Sequence, residues 1–569
     1  MRRPASGIIV GSLAVLAASL FLGVAPSTVG AASGPPGFLI ENAFPTATFF
    51  APVEIVFLPD GRRFVVEQGG NVWVLSPAGE KLSTPFIDLS TKVLFNPSSG
   101  RGLLGVALDP DFTANRWVYF SYTVDPDSNA IDNEEDAYSR IERYQVDTVN
   151  PNTADLSTRQ VLIGVDWASG IPCADTYHSI GALRFGADKT LLASSGDGAH
   201  FSSTDAGGLD PGEFGPGKDD PAHDIGSFRS QSIDNLNGKI LRIDKETGHG
   251  LPSNPFWNGD SVSARSRIWV YGVRNPYRFT VRPGTGSTDP SLGRPGTLYI
   301  GDTGWNNYES VHIATQGGGT NHGWPCREGA YAQPLYGAVS ATATGNTNVL
   351  CGAPNSGENP APYTPPPIWW SHNDGAFSNP PGWTGNAVIG GGFQSGGNFP
   401  APYLGAFYAV DFIQGWIRWI QMDSTNHVAS YGNFVTGVNW PVNVENDPAS
   451  GDLYVVSYSD NMVLRIRYQP VAAAKSVTVR ADSANGSGPY PIPGAGSPWK
   501  DVVSTHDFTL RNFSGTTSSG WQGAGSVTSP YQLKFDGLND AATIAGRASP
   551  SSRPRSRSPR HCGSTPAPT

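Results

Sequence analysis

At 569 residues the chain has room for one large β domain with appendages. Its 69 glycines, 48 prolines and 11% aromatic residues, against only 15% charged residues, describe short strands joined by turns and exclude a helical bundle. The formal net charge of −10 argues against nucleic acid or an anionic membrane as the main partner, although it does not fix the local sign of a cleft.

Taken in chain order, the first element is Arg2 and Arg3, then an apolar run from Ile8 to Val24, then small residues around Val29 to Ser33. That order describes a secretory signal peptide over residues 1–32, with an uncleaved anchor helix as the alternative. The expectation is an exported, extracellular protein with no membrane insertion after cleavage. A loose pattern then recurs across residues 33–470: an apolar alternating strand, a turn with Asp and Pro or Gly, and a second strand rich in Val, Tyr and Leu. It appears at Val53 to Val66, Leu104 to Tyr122, Ala182 to Ser195, Phe279 to Ile300 and Val442 to Tyr458. Period-2 runs repeated five times indicate radially stacked antiparallel sheets, a β-propeller, with long loops such as Ser202 to Asp224 on one face.

The densest stretch runs from Tyr271 to Gly329. An Arg274-Asn275 pair ends one β-segment, and Gly301-Asp302-Thr-Gly304 ends the next, so a guanidinium and free carbonyls can share one mouth. Such a mouth suits an anionic, metal-assisted cofactor. Among four cysteines, Cys326 and Cys351 can close one loop in an oxidising compartment, and no Cys-x-x-Cys pair suggests zinc. Residues 475–546 turn strand-like and polar. Asp507 to Arg511 and Tyr531 to Asp540 resemble the opening strands of a laminin-G-like jelly roll, here only a partial one. Residues 547–569 form a basic low-complexity tail, expected to be disordered.

The ordered set of blocks resembles the soluble quinoprotein sugar dehydrogenases, the glucose/sorbosone and aldose dehydrogenase family that uses pyrroloquinoline quinone (PQQ). The blocks are Arg101 to Phe112, His178 to Gly186, Ser195-Gly-Asp-Gly198, Asn237 to Asp244, Arg274-Asn-Pro276, Gly301-Asp302 with Gly304, and Asn321 to Pro325. The resemblance spans roughly residues 36 to 470, and it implies a six-bladed all-β propeller carrying its cofactor on one face. It implies that His178 takes the proton of a sugar C1 hydroxyl while the C1 hydride goes to PQQ, giving a lactone and passing electrons to an external acceptor. It makes Arg274 the fixed cation beside the quinone oxygens, with Asn275 as a neutral donor. The carbonyls of Gly304 and Trp305, with cofactor oxygens completing the shell, are the calcium ligands it suggests, hard oxygens that suit Ca2+, and Glu309 could bind a structural calcium.

The chain also departs from that family. Gly100-Arg101-Gly102 stands where a cofactor-contacting glutamine is usual, so Arg101 is a candidate for a PQQ carboxylate or a turn residue. Tyr177 replaces the acid before the histidine, and Asp175 is the nearest carboxylate that could orient the ring. Arg418 is a candidate PQQ clamp, with Arg465 and Arg467 as alternatives. His200 reads as a loop residue. Ser310 replaces the second member of an acidic pair, which leaves the calcium site at Glu309 open. Two other classes stay open: a propeller that only binds glycan or protein, and a calcium-dependent lactonase on a similar scaffold.

Overall fold

Inner strands decide this architecture. The computed structural model describes residues 32–129, 132, 136–207, 224–339, 351 and 362–469, together with the strand segments 497–499, 508–511, 520–522, 532–534 and 541–544. The chain divides into two units, Met1–Gln469 and Pro470–Thr569. The expected signal segment, apart from Ala32, and the basic tail lie outside the described residues. Among the described residues no helix is long and apolar enough to cross a membrane.

The first unit is a six-bladed β-propeller, as expected. Blade 1 is Pro52–Phe57, Arg63–Glu67, Asn71–Leu75 and Lys81–Asp88, an antiparallel meander from the axis outward. Blade 2 starts at Leu103–Leu108, blade 3 at Ile180–Phe185, blade 4 at Arg278–Val281, blade 5 at Val388–Phe393 and blade 6 at Pro441–Asn446. Each inner strand pairs with the next strand outward: Trp117–Val124, Leu191–Ser195, Leu298–Asp302, Phe407–Asp411 and Leu453–Ser457 for blades 2 to 6. The five repeats read from the sequence are the inner hairpins of blades 1, 2, 3, 4 and 6. Ring closure comes from the N-terminal strand Phe38–Asn42, which pairs with Met462–Tyr468 as the outermost strand of blade 6. A closed ring leaves only short edges, the standard way for such sheets to avoid pairing with other chains.

Apolar residues of facing blades pack between the sheets. Val53, Val66, Leu103, Val106 and Phe120 share one cluster between blades 1 and 2, and Tyr299, Val311, Phe393 and Phe407 another between blades 4 and 5. The central channel is polar because inner strands present unpaired backbone groups there. Arg278 in blade 4 crosses it, donating to the carbonyls of Val53, Leu104 and Val442 in blades 1, 2 and 6. Arg184 in blade 3 meets Glu54 and Glu445 of blades 1 and 6. These arginines cap the orphan acceptors and tie opposite sides of the ring.

Cys326 and Cys351 form a disulfide, as the sequence allowed. In the second unit Ser497–Trp499, Phe508–Arg511 and Ala541–Ile544 form one antiparallel sheet, and Gly520–Gln522 pairs with Gln532–Lys534. These five short segments do not establish the laminin-G-like jelly roll.

Candidate active site

The site lies where blades 3 and 4 meet, at the end of the ring where inner strands begin and second strands finish. His178 sits in the loop leading into Ile180–Phe185, and Asp197 follows Leu191–Ser195 on the neighbouring strand. His178 holds a left-handed backbone, φ 57°, a costly conformation for a side-chain-bearing residue. Gly196 accommodates this turn, because a Cβ there would lie 2.3 Å from the His178 carbonyl oxygen. The Ser-Gly-Asp-Gly motif thus presses the two loops together.

His178 Nδ1 lies 2.8 Å from Asp197 Oδ1. The other carboxylate oxygen, Oδ2, accepts from Trp324 Nε1 at 2.7 Å, and the Ala199 N–H donates to Oδ1 at 3.2 Å. A carboxylate can only accept, so Nδ1 carries the hydrogen and Nε2 presents its lone pair. Burial lowers the His178 pKa, and the Arg274 charge adds to this against the pull of Asp197. Burial alone would raise Asp197, but His178 and Arg274 outweigh it and hold that carboxyl below its ordinary range. The result is a neutral imidazole with a built-in partner for the proton it takes up.

Arg274 is tied to this pair, since its carbonyl accepts the Asp197 N–H at 2.8 Å. Its guanidinium is 5.3 Å from the Trp324 ring centroid. Nη1 donates to the carbonyls of Gly304 (2.7 Å) and Thr303 (3.3 Å), and Nη2 to that of Phe201 (3.0 Å). Three of five guanidinium hydrogens are thereby placed, leaving Nε–H and one Nη2 hydrogen for a ligand. Asn275 donates its backbone N–H to Asp302 Oδ1 at 2.8 Å, and its half-buried amide makes no hydrogen bond among the described residues.

Other expected residues are placed elsewhere or otherwise engaged. Arg101 is wholly buried: Nη1 meets Asp132 at 3.0 Å, Nη2 the Cys173 carbonyl at 2.9 Å and Nε that of Asp175 at 3.1 Å. It clamps the loop before His178 from within and offers nothing to a cofactor carboxylate. Arg418 stands in the third strand of blade 5, 4.2 and 4.8 Å from the Trp416 and Trp383 ring centroids, with no contact to His178 or Arg274. Arg465 pairs with Asp452 and Arg467 with Glu41, both on the outer strands of blade 6. His200 is half-exposed and 3.9 Å from Asp175. Asp175 instead accepts the Tyr177 N–H, so Asp197, and not Asp175, orients the imidazole.

Two of the three groups suggested for calcium, the Gly304 carbonyl and Glu309, are already engaged. The Gly304 carbonyl already faces the Arg274 guanidinium, so a cation seated there would confront another positive charge. Glu309 gives Oε1 to His372 Nε2 at 2.7 Å and Oε2 to the N–H groups of Gly304 and Val388. Trp305 donates its N–H to Glu328 and packs its ring 5.2 Å from that of Tyr336. Among the described residues no group of three or more His, Cys, Asp or Glu could hold a metal ion. The residues suggested for PQQ are linked through their backbones: the Arg274 carbonyl holds the Asp197 N–H, Asp197 holds His178, and Arg274 keeps guanidinium hydrogens that no protein acceptor takes among the described residues.

A six-bladed propeller with a histidine–carboxylate pair beside an arginine defines the class. More specifically, the chain belongs to the glucose/sorbosone dehydrogenase family, whose model matches residues 49–343. It is 28% identical over 274 residues to the Hedgehog-interacting protein of Mus musculus, covering 46% of this chain and 34% of that one. It is 25% identical over 300 residues to quinoprotein glucose dehydrogenase B of Acinetobacter calcoaceticus, covering 52% and 55%. The chain therefore spans about a third and about half of these relatives. Among solved structures, the apo-form soluble aldose sugar dehydrogenase of Escherichia coli superposes with a TM-score of 0.51 at 19% identity, over 76% of this chain and 99% of that one. That likeness concerns the fold.

Proposed function

We propose that the protein is an exported quinoprotein that oxidises the C1 hydroxyl of an aldose-type sugar to a lactone and passes the electrons to an external acceptor. The observation that carries this reading is the buried His178–Asp197 pair beside Arg274. When bound, PQQ supplies the electrophilic carbonyl carbon that accepts the C1 hydride. His178 Nε2 takes the C1 hydroxyl proton, and Asp197 stabilises the imidazolium that forms. Arg274 and Asn275 direct their remaining donors toward the oxygens where negative charge grows. Trp324 holds the second oxygen of Asp197, which keeps the carboxylate from turning away from the ring. No step is assigned to calcium. Export rests on residues 1–32, read as a secretory signal.

A second reading is a propeller that binds glycan or protein without turnover. It is favoured by the engagement of Arg274 with three backbone carbonyls and by the relationship to a protein named for interaction with Hedgehog. Purified protein with PQQ, with and without Ca2+, is offered aldoses and a reducible dye. Bleaching that is lost in His178→Ala and Arg274→Ala supports the dehydrogenase. Failure to take up PQQ supports the binding protein.

A further inference from the structure

Asp302, at the end of the second strand of blade 4, gives both its oxygens to a single turn. The Arg274 N–H donates to Oδ1 and Oδ2 at 2.9 and 3.1 Å, and the Asn275 N–H to Oδ1 at 2.8 Å. Behind it, His312 Nε2 lies 3.4 Å from Oδ2, and the His312 ring stacks on His322 with centroids 4.2 Å apart. Both histidines are buried, 3% and 2% exposed, and His312 Nδ1 and His322 Nε2 have no hydrogen-bond partner among the described residues. Asp302, His312, His322, Arg274 and Trp324 line one small cavity.

We propose that Asp302 is a positioning residue of the site, setting where the Arg274 guanidinium and the Asn275 amide stand relative to His178 by holding their two consecutive backbone N–H groups, with the His312–His322 stack bracing it from behind. The inference rests on reading Arg274 and Asn275 as ligand-facing, not on turnover. Two rigid bonds to neighbouring N–H groups fix a turn more tightly than one, and the Arg274 side chain from that turn lines the same small cavity as Asp302. Asp411 supplies a contrast, because it ends the second strand of blade 5 at the same point and caps the N–H groups of Asn386 and Gln414 away from the site.

The test needs no bound ligand. In full-length protein labelled at histidine Cε1, the His178 resonance is assigned by its loss in His178→Asn and followed against pH. The charged groups facing that ring are Asp197 on Nδ1, Arg274 from the loop entering blade 4, and Asp175 from the preceding loop. Of these, only Arg274 is bonded directly to Asp302. In Asp302→Asn the His178 midpoint is expected to rise as the cation drifts away, and in Asp411→Asn to stay put. The affinity for PQQ, read from its absorbance, should fall about tenfold in Asp302→Asn, the cost of one charged buried hydrogen bond. A folded Asp302→Asn with an unmoved His178 midpoint overturns the proposal. Should that variant not fold, Asp302→Glu, which displaces the turn by one methylene, is expected to shift the midpoint in the same direction, and no shift again overturns it. A shifted midpoint in a protein that never bleaches the dye sinks the dehydrogenase reading and leaves this one standing.

Discussion

Replacing Asp197 with asparagine should abolish most turnover while leaving the propeller intact. In the native site two side-chain N–H groups converge on this carboxylate, His178 Nδ1–H at 2.8 Å and Trp324 Nε1–H at 2.7 Å, beside the backbone N–H of Ala199. An amide offers one acceptor oxygen and two hydrogens, so it can satisfy only one of them. With its oxygen toward His178, its NH2 group opposes the indole hydrogen. With its oxygen toward Trp324, the NH2 group donates to Nδ1, which moves the imidazole hydrogen to Nε2 and removes the lone pair that the proposed reaction uses to take up a proton. Either arrangement also deprives the imidazolium of its counter-charge. A general base of this kind contributes about 10²–10⁴ in rate, which corresponds to roughly 3–5 kcal/mol of barrier. The stability cost, one mismatched buried donor, is about 1–3 kcal/mol. The assay is steady-state dye reduction in PQQ-loaded protein, with circular dichroism and urea unfolding on the same samples. A variant that folds, takes up PQQ and keeps kcat within about threefold of wild type, under 1 kcal/mol, refutes the assigned base.

Four further outcomes follow from the same geometry. Arg101→Met should lower the urea-derived stability by about 3–5 kcal/mol, because both partners of its ion pair are buried, while PQQ affinity per folded molecule is unchanged. Arg278→Leu strands carbonyls from three blades and should cost at least about 3 kcal/mol in the same measurement. His178→Asn should lose turnover yet stay within about 1 kcal/mol of wild-type stability, since asparagine tolerates the left-handed backbone and its amide can still donate to Asp197. The fourth concerns pH. Burial pushes His312 down to about 3, so between the ordinary histidine value and that point the unfolded chain binds the extra proton and stability falls as pH falls. Asp302 and Asp411, pushed up to about 7 by burial, act oppositely, their contribution being present at low pH and lost as pH rises through 7. His312→Gln should therefore flatten the loss of urea midpoint between pH 7 and pH 5.

What the sequence made legible followed from local pattern. Five inner hairpins alternate apolar and polar residues cleanly, and each became a blade. The hairpin of blade 5 was hidden because its inner strand reads Val-Ile-Gly-Gly-Gly-Phe, which has too few side chains to alternate. Those glycines answer a crowding that no single strand reveals: a Cβ on Gly301 of blade 4 would lie 2.2 Å from the Gly390 Cα. Site residues show the same division. His178, Arg274 and Asn275 stand out by motif, and the structure links the first two through Asp197, whose N–H meets the Arg274 carbonyl. Asp197 lay inside a recognised motif, but its partner is nineteen residues away and meets it only through strand pairing. Trp324 arrives from a still more distant loop. Arg101 misled because a charge beside glycines reads as a ligand contact, whereas its loop folds inward onto Asp132.

The site is also a variation on a repeated structural device. Glu67 in blade 1 accepts the Phe50 N–H, Asp302 in blade 4 those of Arg274 and Asn275, and Asp411 in blade 5 that of Asn386. In each case a carboxylate at the end of the second strand caps the loop that leads into the inner strand of the same blade. Such a cap satisfies a backbone donor that would otherwise be buried without a partner. In blade 3 a carboxylate two residues past the strand end, Asp197, serves the same loop, but the left-handed turn at His178 brings an imidazole to it where blades 1, 4 and 5 bring an N–H. A single side chain on an otherwise repeated cap is enough to turn a stabilising contact into an oriented base. Blade 4 keeps the ordinary cap directly beneath the arginine. Chemistry can therefore sit at this boundary without any departure from the propeller's own rules of closure.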